Sequence, residues 1–158
     1  MEHEMVRPDF YNNIITDETI DMMLRQIDAE SIISKTGQIG RVRFSLSKED
    51  PDLYAEYMYE ITEDGELNMQ RIEPISRNFG RLHDISDMVK EITYDLRNYK
   101  HAIDGGLFEK YVDIAGRMRI IRREFEDLFL MCDPNEESLE EVRKQVDGLL
   151  QSLKETFR

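Results

Sequence analysis

"YAEYMYEITEDGELNMQRI", residues 54–72, decides how the rest of the chain is read. Tyr57, Tyr59 and Ile61 fall on alternate positions, the two-residue period of a strand with one face against a core. Asp64-Gly65 lies between two such runs and supplies residues that tolerate positive φ in a tight turn. The stretch therefore predicts an antiparallel hairpin, with strands over 55–62 and 66–73. A competing pattern overlaps it. In "DPDLYAEYMYE", residues 50–60, Asp50 has the chemistry of a helix cap and Pro51 suits the first helical position. The tyrosine content and the Asp-Gly turn favour the strand.

Upstream, "RVRFSLS" (41–47) alternates Val42, Phe44 and Leu46 with Arg41, Arg43 and Ser45, and predicts one more strand. Before it, "TDETIDMMLRQIDAESIISKTG" (16–37) predicts a helix. Thr16 can cap it, Asp17 and Glu18 sit in its positive first turn, and Gly37 lies beyond its end. Ile20, Met23, Leu24 and Ile27 form an apolar face expected to cover the sheet, while Met58, opposite Tyr57, suggests a second cover. Residues 1–15 read as a flexible tail, and 16–74 as an acidic helix-plus-sheet region.

Downstream of Pro74 the period changes to that of helices. Leu82, Ile85, Val89, Ile92, Leu96, Tyr99 and Ile103 alternate spacings of three and four until Asp104-Gly105-Gly106 reverses the chain. Tyr111, Ile114, Met118, Ile121, Phe125, Leu128 and Cys132 repeat the pattern. After "DPNEESLEE" (133–141), where Asp133 can cap, Pro134 can open a helix and Glu136 can complete a capping box, Leu139, Val142, Val146, Leu149 and Leu153 repeat it again. Sustained 3–4 spacing with short connections predicts a three-helix antiparallel coiled-coil-like bundle over 75–158. The expected fold class is α+β: an N-terminal helix, a small three-stranded antiparallel sheet, then that bundle.

Composition limits the function. The formal charge of −13 opposes nucleic-acid binding at long range. Residues 1–75 carry 17 acidic against 7 basic side chains, whereas 76–132 are balanced at 10 against 10. No apolar run approaches the ~20 residues of a membrane helix, and the opening lacks the pattern of a secretory signal. A single cysteine, Cys132, excludes an intramolecular disulfide and fits a reducing compartment, so a cytoplasmic location is expected.

Chemistry-bearing motifs are absent. No calcium loop, phosphate loop or nucleophile motif can be read, and His3, His83 and His101 show no metal-ligand spacing. No cofactor and no catalytic residue is expected. The most distinctive charge feature is "GRMRIIRREFEDLF", residues 116–129. Arg117 and Arg122 flank the apolar seam, Arg119 and Arg123 lie further out, and local pairing with Glu124, Glu126 and Asp127 can absorb much of their charge. Asp84, Asp87, Glu91 and Asp95 on the preceding helix offer further acidic partners.

The resulting expectation is a non-catalytic interaction or adaptor subunit that binds another protein or a second copy of itself. Its docking face would centre on Ile120, Phe129 and Leu150, oriented by Arg117 and Arg123, with Arg119 and Arg122 among the partner-binding residues. An alternative is an acidic inhibitor that imitates nucleic acid or blocks a basic groove, presenting Asp17, Glu18, Asp21 and Asp28. A third reading uses only topology: a helix, an antiparallel meander and further helices are arranged in a way similar to acidic secretion chaperones, which implies a client-gripping sheet.

Overall fold

The computed structural model describes residues 17–33 and 35–158. The tail over 1–15, the Thr16 cap and the side chain of Asp17 lie outside the described residues. The elements run α1 (Asp17–Gln26), β1 (Gly37–Ser45), β2 (Tyr54–Thr62), β3 (Leu67–Glu73), β4 (Arg77–Leu82), α2 (Ile85–Asp104), α3 (Phe108–Cys132) and α4 (Glu136–Thr156). The α+β class holds. The sheet, however, has four strands in the order β1-β2-β3-β4, all antiparallel, rather than three.

Residues 50–60 contribute to a strand, not a helix, and Tyr57 pairs with Val42 on one side and Arg71 on the other. The Asp64-Gly65 turn forms with Gly65 at φ 82°. The backbone N–H of Thr62 donates to the carbonyl of Glu66 at 2.9 Å to close it. Between β1 and β2, Gly40 faces Tyr59, and a Cβ there would meet the tyrosine ring at 2.1 Å. Glycine is what lets that ring lie across the neighbouring strand.

The fourth strand, "RNFGRL", falls where the spacing predicts helix. It lacks alternation, because Gly80 at φ 70° and a register shift opposite Met69/Gln70 interrupt the period. Asn78 Oδ1 accepts from the Gly80 N–H at 2.7 Å and holds the irregularity. The helical part of the chain accordingly begins at Ile85, with Asp84 as its cap accepting from the Asp87 N–H at 2.9 Å.

Helix α1 is shorter than expected. Asp28 takes the left-handed conformation at φ 65°, and the N–H groups of Asp28 and Ala29 donate to the carbonyls of Arg25 and Leu24. That double closure ends the helix long before Gly37. Its apolar face, including Ile20 and Met23, is exposed, so α1 is not the cover of the sheet.

Helix α2 is. Ala55, Tyr57 and Met69 from the sheet form one core with Ile92 and Tyr99 of α2, Phe108 of α3 and Leu46. Fully burying a large apolar side chain contributes roughly 1.5–3 kcal/mol, so this layer holds most of the fold's driving force. To fit the sheet, α2 presents Met88, Ile92, Asp95, Tyr99 and Ala102, leaving Ile85 and Val89 exposed. The inward stripe is therefore rotated from the seam that apolar spacing alone marks out.

The expected three-helix bundle does not close within the chain. Gly106 at φ 68° reverses the chain after α2 as anticipated, and Phe108 at the start of α3 packs edge-on against Tyr99 at 5.9 Å. Beyond that first turn the seam of α3 stands in solvent, from Met118 at 38% exposure to Ile121 at 59%. Val142, Val146 and Leu149 of α4 are exposed as well. The junction also differs: Asp133, at φ 45°, ends α3, and Asn135 caps α4 by accepting from the Ser138 N–H at 2.8 Å. Among the described residues the core lies between the sheet and α2, and α3 joins it only through its first turns.

Candidate functional site

Two regions carry unusual features: the projecting α3–α4 arm, and a polar cavity between α2, the start of α3 and strands β3 and β4.

On the arm, every one of the expected docking residues is exposed. Arg117 Nε donates to Asp113 Oδ2 at 2.9 Å, and that carboxylate holds its guanidinium above the ordinary arginine range, chiefly through the hydrogen bond. Arg122 pairs with Glu126 at 3.2 Å and Arg123 approaches Glu124 at 3.6 Å. The pairing is thus within α3, and Asp95 takes no part in it. Helical geometry divides the rest. At about 100° per residue, Ile120 and Phe129 lie on opposite sides of α3. Arg123 shares the side of Ile120 and Arg122 that of Phe129, while Arg119 lies between the two. These residues do not form one face. Phe129 instead stacks obliquely on Phe125, centroids 6.2 Å apart, in a cleft of about 440 Å³ that opens between α3 and α4 at their junction. Leu128, Cys132, Leu139 and Val142 also line it.

Of the acidic set, Glu18 and Asp28 are exposed, and Asp21 pairs with Arg25 at 2.9 Å.

The cavity is more specific. It encloses about 270 Å³ and is built around Arg71 of β3 and Asp95 of α2, whose side chains are 5% and 9% exposed. Arg71 Nη1 donates to Asp95 Oδ2 at 2.5 Å, and its Nε donates to the carbonyl of Ile75 at 2.7 Å. The Tyr57 hydroxyl donates to the same Oδ2 at 3.2 Å. Burial, then the charge of Asp95, raises the Tyr57 hydroxyl well above the usual tyrosine range. The guanidinium also lies 5.2 Å from the Tyr99 ring centroid. Tyr99 is 5% exposed, and among the described residues its hydroxyl has no hydrogen-bond partner. Burial first, and the hydrogen-bonding influence of the Tyr111 hydroxyl next, raise Tyr99 as well.

Sequence reasoning read Asp95 as an ion-pair partner for the arginines of α3 and did not single out Arg71. A signal was present for both. Arg71 shares the two-residue parity of Leu67 and Met69, and Asp95 falls at the inward spacing between Ile92 and Tyr99. A cation on a sheet's core parity and an anion on a helix's core stripe are what a buried pair requires.

Among the described residues, no group of three or more His, Cys, Asp or Glu side chains is placed to hold a metal ion. No helix among them is long and apolar enough to cross a membrane. Comparison with protein families, curated proteins and solved structures returns no match to this chain.

Proposed function

We propose that the chain is a non-catalytic protein–protein interaction subunit that docks through the apolar faces of its α3–α4 arm, with a second copy of itself as the first partner. The observation that carries this reading is the α3 seam: Met118, Ile121, Phe125 and Leu128 repeat at coiled-coil spacing and are all exposed. Monomeric proteins seldom leave a contiguous apolar strip of this length in water.

Register arithmetic favours self-pairing. Two α3 helices laid antiparallel about their midpoints set Met118 on Ile121, Ile114 on Phe125 and Tyr111 on Leu128. The same register brings Arg117 beside Glu124 of the second copy, and the two-fold repeats that contact. The coiled-coil-like bundle expected from the spacing would then form between chains instead of within one. An exposed Cys132 near the arm's junction fits a reducing, cytoplasmic setting.

The test is mass by light scattering over a concentration series, with Ile121→Glu/Phe125→Ala beside the unaltered chain. The expected result is a dimer that falls to the 18.8 kDa monomer in the variant, with helix content unchanged in the isolated chain. A chain that stays monomeric at every concentration and retains no protein in a pull-down overturns the reading. A heteromeric complex lost in the variant keeps the docking face and replaces the partner.

A further inference from the structure

The two edges of the sheet differ in build. β4 is blunted, because Gly80 at φ 70° and the register shift opposite Met69/Gln70 break its line. β1 runs nine residues, pairs with β2 in one unbroken register and borders no other strand. The Leu46 N–H donates to the Leu53 carbonyl at 2.8 Å, in the same register that sets Phe44 against Ala55 and Val42 against Tyr57. Antiparallel strands exchange hydrogen bonds at every second residue. Phe44, Val42 and Gly40 therefore turn their backbone groups to β2, and Ile39, Arg41 and Arg43 turn theirs outward. Among the described residues, none of these outward groups has a hydrogen-bond partner.

Val42 and Phe44 pack against the core, so the side chains of the same three residues lie on the opposite face of the sheet. Ile39 is 67% exposed and the Arg41 side chain 60%. Arg41 Nη2 lies 2.9 Å from Glu56 Oε1. The Arg43 guanidinium stacks 3.5 Å from the Tyr54 ring centroid and donates to the Pro51 carbonyl at 3.2 Å. Among the described residues, no carboxylate is within ion-pair reach of Arg43. β1 itself holds two arginines and no acidic residue, in a chain of net charge −13. A second copy is a poor occupant of such an edge. Antiparallel pairing that overlaps all three outward residues sets Arg41 opposite its own equivalent, and like charges directly opposite destabilise a sheet. Charges on an edge discourage self-pairing and favour a strand of the opposite sign.

We infer that the β1 edge accepts an extended acidic segment of another protein as a fifth strand. The antiparallel arrangement is the more stable per residue. Read from its N-terminus, the segment places acidic residues opposite Arg43 and Arg41 and an apolar residue opposite Ile39, an acidic-x-acidic-x-apolar pattern. Its main chain satisfies the outward N–H and carbonyl groups, and its alternate side chains give specificity. The net charge of the whole chain is screened beyond roughly 8 Å at physiological ionic strength, so the charges in contact at the edge decide what it accepts. This surface is separate from the α3–α4 arm.

The experiment is amide hydrogen exchange by NMR on the full chain, with the capped peptide Val-Glu-Val-Glu-Thr-Ile-Thr as the probe. Its controls carry lysine for both glutamates, N-methyl groups on both glutamates, or N-methyl groups on both valines. Saturable slowing of exchange is expected at the outward amides of Ile39, Arg41 and Arg43. The valine-methylated peptide should do the same, because its methyl groups point away from β1. The lysine peptide should bind about tenfold more weakly. The glutamate-methylated peptide, which cannot donate to the edge, should give no protection. Arg43→Gln, which removes no ion pair, should weaken the probe about threefold and leave the melting temperature of the free chain level. The inference is overturned if millimolar probe slows none of the three amides, or slows exchange only on α3 and α4. It also fails if the lysine or glutamate-methylated peptide binds as tightly as the probe, or if Arg43→Gln takes the probe unchanged.

Discussion

The sheet-plus-α2 layer and the α3–α4 arm are written in the same apolar code and end in opposite environments. In α2, Ile92 and Tyr99 lie under the sheet with 7% and 5% exposure; in α3, Ile121 and Leu128 have the same spacing and face water. The sheet makes the difference. Tyr57 and Met69 offer α2 a flat apolar surface, and the buried residues of the described chain gather there. Periodicity therefore states that a helix has a face to bury and is silent on what will bury it. The contrast extends to charge. Arg71 and Asp95 are locked together in the core, whereas the arginines of α3 pair with exposed carboxylates on their own helix.

The sharpest way to break this contrast is to remove one partner of the buried pair. Asp95→Ala leaves Arg71 uncompensated and strips Tyr57 of its acceptor; the expected loss is about 3–5 kcal/mol by urea denaturation. Met69→Ala, in the same layer, should cost about 2–5 kcal/mol. Leu128→Ala in the arm should stay within about 0.5 kcal/mol when measured in dilute solution. An arm substitution as costly as a core one would mean that the two regions fold as one layer.

A smaller effect separates the layers by pH. The hydroxyls of Tyr57 and Tyr99 are raised by burial first, and by Asp95 or Tyr111 second. Their folded values exceed the unfolded one, so the stability they confer is complete below about pH 10 and is lost as the pH climbs through the folded values. Absorbance at 295 nm should show two tyrosines ionising only with unfolding. Two-step ionisation without loss of structure would contradict the burial.

The smallest expected effect is at the hairpin turn. Asp64 is lowered to about 2 by the Thr62 hydroxyl first and by Lys35 second. Its contribution is present above the ordinary carboxyl value and fades as the pH falls from about 4 towards 2. Lys35→Met should move the carboxyl titration, followed by NMR, upward. An unchanged midpoint would assign the shift to Thr62 alone.

Much of this architecture was legible in residues. Tyr57, Tyr59 and Ile61 announced a strand face, Asp64-Gly65 the turn, and Gly105-Gly106 the reversal after α2, because each depends on backbone sterics or period within a few neighbours. The strand at Arg77–Leu82 was not legible, since its bulge removes the alternation and only pairing with β3 makes it a strand. Of the candidate site, the exposed arm was half visible: its seams could be read, but that they stay uncovered could not.

The sequence by itself determined where this chain turns, which segments coil and which faces are apolar. Tertiary structure alone decided that α2 rather than α1 covers the sheet, that Asp95 meets Arg71 in the core, and that α3 and α4 stand apart from it. The reason is physical. Torsional preference and period act over a turn or two of chain, whereas burial and ion pairing depend on which distant surface arrives first and how much area it can cover.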